Sequence, residues 1–227
     1  MKFTPKAFLF DLNGTMIDDM QYHTTAWHNV LTKELGAQLS VEEVKVQMYG
    51  KNSELLARIF GPDHFSAEEA DRISVEKEKS YQKEFLPHLK LIDGLDSILQ
   101  QAHDAGIKMA IGSAAIMFNV DFVLDNLNIR HYFSALVSAD DVTTSKPHPE
   151  TFLKGAQLLG VKPEACVVFE DAPKGVEAAR NAGMPCVVLT TMHEKDEFSQ
   201  YDNIIAFVRD YTDLALKDLL PAAGVKR

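Results

Sequence analysis

Basic charge is scarce in this sequence: 23 Lys and Arg stand against 33 Asp and Glu in 227 residues, a net charge of −10. That balance repels polyanions, so neither nucleic acid nor an anionic membrane surface is expected as a partner, and an anionic ligand would need cations placed locally. Long apolar runs are missing too. No stretch approaches the roughly 18 residues of a membrane span. The opening MKFTPKAFLFDL has too short an apolar run for a secretory leader and no small-residue cleavage site, so a cytoplasmic location is expected; a monomer is expected as well. Only two cysteines occur, Cys166 in ACVVF and Cys186 in MPCVVL. Lacking CxxC spacing, they read as buried reduced thiols rather than a disulfide or a zinc site. There is no GxGxxG, and the Gly50-Lys51 pair lacks the preceding glycine of a phosphate loop, which disfavours dinucleotide and nucleoside-triphosphate folds.

At 46% hydrophobic, the chain can bury a sizeable core. Short runs rich in β-branched and aromatic residues recur at AFLF (7–10), KMAIGS (108–113), ALVSAD (135–140), ACVVFED (165–171) and PCVVLT (185–190). Stretches of helical periodicity separate the later ones: 94–105, 118–126, 149–159 and 175–182. Strands that are continuously apolar and alternate with helices predict a parallel sheet covered on both faces. From about 18 to 89 the texture is amphipathic helix with no strand-like run, which predicts an all-helical insertion. Gly36 and Gly61 are its expected helix stops, and Ser40 with Glu43 an expected capping box.

In open α/β sheets, ligands bind at the carboxyl ends of the strands. Here Asp11 follows AFLF, Ser113 follows KMAIG, Glu170-Asp171 follows ACVVF, and Lys146 lies in TSKPHPE a few residues beyond ALVSAD. Each alone has a structural explanation: a helix cap for Glu170-Asp171 or Ser113, a solvated side chain for Lys146. The stretch FLFDLNGTMID (8–18) carries Asn13-Gly14, a strong hairpin signal, yet no strand pattern follows it.

In order along the chain, DLNGT (11–15), IGSAA (111–115), SKPHPE (145–150) and FEDAPKG (169–175) resemble the four motifs of the haloacid dehalogenase superfamily of phosphotransferases. YHTTAW (22–27) and EDAPKGVEAARNAG (170–183) resemble its β-phosphoglucomutase-like group. The resemblance implies an α/β fold, a Rossmann-like parallel sheet core (1–16 and 90–227) with an inserted all-helical cap domain (17–89). It also implies Mg²⁺ as cofactor. Asp11 would attack phosphorus to form an aspartyl phosphate. Mg²⁺, a hard cation, would take Asp11, Asp171, the main-chain carbonyl of Asn13 and waters, with Glu170 outside or water-mediated. Lys146, and Ser113 with the N–H groups that follow, Ala114 first, would meet the phosphate oxygens.

Candidate substrate contacts in the cap are His23, Lys51, Asn52 and Lys77. His23 matches a cap histidine of that group, and a surface histidine is the alternative. Lys77 falls where a lysine would meet a distal phosphate, and a solvated helix face is the alternative. Trp27 reads as cap core. The family places an aspartate at position 13 to protonate the leaving oxygen and deprotonate the next nucleophile; Asn13 can do neither. An Asp-to-Asn replacement made to trap a bound state is preferred over a natural variant, because every other motif is intact. The expected function is a Mg-dependent phosphatase for a small phosphorylated metabolite, a sugar phosphate in particular, crippled by Asn13. A β-phosphoglucomutase-type mutase and a non-catalytic phosphate-binding or regulatory protein are the alternatives.

Overall fold

The computed structural model describes residues 4–219. The chain divides into two compact units, Met1–Asp18 with Lys90–Arg227, and Asp19–Leu89. Strand β1 (Ala7–Phe10) precedes helices α1 (Met20–Asn29), α2 (Val41–Gln47), α3 (Asn52–Phe60) and α4 (Ala67–Phe85). Then follow α5 (Leu95–Asp104), β2 (Lys108–Gly112), α6 (Met117–Asn126), β3 (Ala135–Val137), α7 (Glu150–Leu159), β4 (Cys166–Glu170), α8 (Pro173–Asn181), β5 (Cys186–Leu189) and β6 (Ile204–Val208).

Among the described residues, all six strands run parallel, in the order β3-β2-β1-β4-β5-β6. The side chains of β1 are fully buried, as continuous apolar strands require when helices cover both faces. The chain builds outward from β1 to β3, then returns to β4 on the other side of β1. That makes the β1–β4 boundary the switch point of the sheet, where such folds open a crevice at the strand ends. Phe10 and Phe169 are register partners across this boundary, and their rings stack with centroids 4.5 Å apart. A pair of this kind adds about 0.5–1.5 kcal/mol beyond its buried area. It locks together the two strands that carry Asp11 and Glu170-Asp171.

Strand β6 was not anticipated. It lies at a sheet edge, with Ile205 exposed and three of its five residues half-buried, so IIAFV lacks the fully buried character of the other runs. Both cysteines are free and buried, as expected.

The helical unit has its own core, in which Trp27, Leu31, Val44, Leu55, Leu56 and Ile73 pack together. A π-helical turn over Val30–Glu34 continues α1. Ser40 and Glu43 form the expected capping box of α2, and Ser66 with Glu69 forms a second one, on α4. Among the described residues, no helix is long and apolar enough to cross a membrane.

Candidate active site

Four of the expected residues converge at the ends of β1 and β4. The Asp11 N–H donates to the Phe169 carbonyl at 2.9 Å, extending the strand ladder by one residue and fixing the backbone from which the carboxylate projects. Lys146 Nζ donates to Asp11 Oδ1 at 2.6 Å and to Glu170 Oε1 at 2.8 Å, and lies 4.7 Å from the centre of the Phe152 ring. Glu170 Oε2 accepts the N–H groups of Asp171 (2.8 Å) and Ala172 (2.9 Å) where α8 begins. Glu170 therefore ties down the backbone leading into α8 and holds Lys146 at once. Its carboxylate fits beside α8 only because residue 175 is glycine: a Cβ there would fall 1.7 Å from Glu170 Oε1.

The electrostatics follow from burial. Asp11, Glu170 and Asp171 are all at most 7% exposed, and the Lys146 ammonium bonds to the first two. Burial, followed by the charges of Glu170 and Asp11, pushes the Asp171 carboxyl well above the usual carboxylate range. Burial opposes the charge on Lys146, but Asp11 and Glu170 more than offset it and hold the ammonium protonated beyond the ordinary lysine range.

Lys146 sits in a loop clipped on both sides. Glu150 accepts from the Thr143 N–H, the Thr143 hydroxyl and the Thr144 N–H, each at 2.9 Å. Asn181 Nδ2 donates to the Pro147 carbonyl at 3.0 Å. The Lys146–Pro147 peptide is cis. Ser113 extends β2 by donating its N–H to the Val137 carbonyl at 2.9 Å, and its hydroxyl accepts the Ala115 N–H at 3.1 Å, so Ala114 lies within a tight turn. The N–H of Met117, at the start of α6, donates to Asp140 Oδ2 at 2.8 Å, so that part of the helix start is bound by protein.

The Asn13-Gly14 stretch is a turn, but not a hairpin: Asn13 bridges Ile17 in parallel, and the Gly14 N–H donates to the Ile17 carbonyl at 2.8 Å. Gly14 takes φ +74°, and a Cβ on it would lie 2.2 Å from Asp171 Oδ2. Only glycine lets this turn approach the carboxylate. Sequence reasoning missed three residues here. The Thr15 hydroxyl donates to Asp171 Oδ1 at 3.2 Å, Thr191 Oγ1 donates to the Gly14 carbonyl at 2.6 Å, and the Tyr211 hydroxyl donates to the Thr15 carbonyl at 3.0 Å. Thr191 and Tyr211 lie 177 and 196 residues from their partners, and neither belongs to any of the four motifs, so no local signal marks them.

The site suits a small hard cation. Asp171, a buried acid crowded by two others, has its Oδ1 held by the Thr15 hydroxyl, while the missing Cβ of Gly14 leaves room beside its Oδ2. Among the described residues, no group of three or more His, Cys, Asp or Glu is arranged to hold a metal ion. A cation here would rely on two carboxylates, a main-chain carbonyl, water and substrate, which is the sparse protein shell Mg²⁺ favours.

In the helical unit, His23, Lys77 and Asn52 come together around Glu78. Lys77, 1% exposed, donates to Glu78 Oε1 at 3.0 Å and meets His23 Nδ1 at 2.6 Å, while Asn52 Nδ2 donates to Glu78 Oε1 at 2.8 Å. His23, 7% exposed, stacks on Tyr81 and faces Asp19 Oδ2 through Nε2 at 3.3 Å. Burial pulls the Lys77 ammonium below the usual lysine range, opposed by Glu78. Neither residue is on a solvated face, which corrects both surface alternatives. The Lys77 ammonium is paired with Glu78 and His23 inside the helical unit. Lys51 immediately precedes α3, its N–H donating to Glu54 Oε2 at 3.0 Å.

A family model for haloacid dehalogenase-like hydrolases matches residues 5–183. Fructose-1-phosphate phosphatase YqaB of Escherichia coli (strain K12) is 33% identical over 80% of this chain and 94% of its own length. Beta-phosphoglucomutase of Bacillus subtilis (strain 168) is 30% identical over 79% of this chain and 80% of its own. A crystal structure of beta-phosphoglucomutase (pgmB) from Clostridium difficile matches with a TM-score of 0.81 at 28% identity, covering 94% of this chain and 95% of that one.

Proposed function

Because the chain belongs to the haloacid dehalogenase-like hydrolase family, in its β-phosphoglucomutase-like branch, we propose that it transfers phosphoryl groups through Asp11. Its main activity would be as a phosphatase on a small phosphorylated metabolite, sugar phosphates being the favoured class. The observation that carries this reading is Lys146 at 2.6 Å from Asp11 at the sheet's switch point. The likeness to a sugar-phosphate phosphatase over most of both chains supports it.

In this reading, a carboxylate oxygen of Asp11 forms a bond to phosphorus as the bond to the leaving alcohol oxygen breaks, giving an acyl phosphate and an alkoxide that must gain a proton. Water then attacks the same phosphorus and loses a proton as the bond from the Asp11 oxygen to phosphorus breaks, which releases inorganic phosphate and regenerates the carboxylate. Lys146, held by Glu170, places positive charge beside the transferring oxygens, and Ser113 with the Ala114 N–H supplies hydrogen bonds to them. Asp11, Asp171 and the carbonyl of Asn13 would hold Mg²⁺, which neutralises charge between carboxylate and phosphate when bound. The helical unit would serve as the cap domain of this branch. Asn13 cannot supply or remove a proton, so both half-reactions slow.

A good leaving group separates the halves, since p-nitrophenolate departs without a general acid while attack by water still needs a base. Mixing the protein with p-nitrophenyl phosphate and Mg²⁺ should therefore give a burst of p-nitrophenol near one equivalent per chain, then slow turnover, with hydroxylamine-labile phosphate on the protein. No burst and no acyl phosphate would remove Asp11 from the nucleophile's role.

The mutase reading stays open because of the 30% identical β-phosphoglucomutase. It is placed second because the cap lysine that would grip a distal phosphate is paired internally.

A further inference from the structure

Two hydroxyls beyond the span matched by the family model reach back to the turn after Asp11. Within the turn, the Gly14 N–H donates to Ile17 and the Met16 N–H to Leu12, each at 2.8 Å. Its next two carbonyls are bound from the far end of the chain. Thr191, just after β5, takes the Gly14 oxygen at 2.6 Å, and Tyr211, just after β6, takes the Thr15 oxygen at 3.0 Å. Tyr211 is 1% exposed and anchored in its turn: its N–H donates to Asp93 at 3.0 Å, and the neighbouring Ile92 N–H donates to Met16 at 2.9 Å. A ring closed by these three hydrogen bonds and by the chain itself thus runs from Thr15 through Tyr211, Asp93, Ile92 and Met16.

Peptide units are rigid planes, so binding two successive carbonyls fixes the rotation of everything between them. What lies between is Thr15, whose hydroxyl holds Asp171, and immediately before it stand Gly14, which Asp171 packs against, and Asn13, whose carbonyl faces the same site in the reading above. We propose that Thr191 and Tyr211 are positioning residues: they set the Asn13–Thr15 backbone so that its carbonyl and the Asp171 carboxylate meet a divalent cation together. The inference rests on that reading of the site, and it assigns a role to two loops that carry none of its motifs. Removing either hydroxyl would leave a carbonyl without its donor and let the turn relax away from Asp171. Outer partners of this kind change metal affinity by about 10- to 100-fold.

The test uses the whole chain and its variants Thr191→Val, Thr191→Ser and Tyr211→Phe, with two readouts: calorimetric titration with Mg²⁺, and amide exchange at Gly14 and Met16 relative to amides in β2 and β5. Thr191→Val and Tyr211→Phe should weaken Mg²⁺ binding about tenfold or more and speed exchange in the turn alone, while Thr191→Ser stays near the parent. Should Thr191→Val not fold, Thr191→Ala, which adds no bulk, takes its place. Parental Mg²⁺ affinity and exchange in both hydroxyl-free variants, or a Thr191→Ser protein as impaired as Thr191→Val, would overturn the proposal. If the parent itself binds no Mg²⁺, the cation reading falls, and the exchange readout alone decides whether the hydroxyls position the turn.

Discussion

Asp11 and Gly175 show how much of the proposed chemistry depends on single residues. Replacing Asp11 by Asn should abolish the p-nitrophenol burst while leaving the thermal midpoint nearly unchanged, since Lys146 keeps Glu170 as its partner at 2.8 Å. Circular dichroism melting beside the burst assay checks both halves. Gly175→Ala is a different kind of lesion. The new methyl would overlap the Glu170 carboxylate, which cannot retreat without dropping Lys146 or the two N–H groups at the start of α8. Overpacking of this sort costs about 1–3 kcal/mol. Chemical denaturation should read a loss in that range, together with reduced acyl-phosphate formation. An unchanged midpoint and burst would show that Glu170 has room the structure does not reveal.

The segment from Thr143 to Glu150 is the element that carries Lys146, and its geometry is tied to the charge on Glu150. Three donors from Thr143 and Thr144 pull the Glu150 carboxyl down from 4.5 to about 2. A depressed folded value means this tie stabilises the protein fully above the usual 4.5 and is lost as pH falls toward about 2. Thermal midpoints of the parent and Glu150→Gln, measured from pH 6 down to pH 2, should differ most at the upper end, draw together below about pH 4.5 and meet near pH 2. A constant gap would mean the charge on Glu150 plays no part.

The same elements show what a sequence can reveal here. The buried strands were legible because double-sided burial forces continuous apolar runs, and the residues just after β1 and β4 were legible because ligands gather at such ends. β6 was hidden by its half-exposed edge position. Thr191 and Tyr211 were hidden because a hydroxyl bonded to a main-chain carbonyl about 180 or more residues away leaves no local pattern. Nor could periodicity show that Lys77, in the charged run EKEKSY, turns inward to Glu78 and His23.

For the protein as a unit, a net charge of −10 would, in the proposed reaction, leave the capture of an anionic substrate to Lys146 and a bound cation, and the fate of the acyl phosphate to whichever acceptor reaches it. A mutase must keep water from that intermediate far better than a phosphatase does. With Lys77 paired internally, we expect water to win. The Asn13→Asp protein, given β-glucose 1-phosphate with a trace of glucose 1,6-bisphosphate, should release inorganic phosphate faster than it forms glucose 6-phosphate. Coupled assays of both products give the ratio, and predominant glucose 6-phosphate would establish the mutase. The central claim, that this is a phosphoryl-transfer site lacking only its proton-transfer group, rests on one comparison: steady-state turnover of a phosphomonoester with a poor leaving group by the chain and by Asn13→Asp. The account predicts a gain of at least about a hundredfold for Asn13→Asp, and equal rates in the two proteins would contradict it.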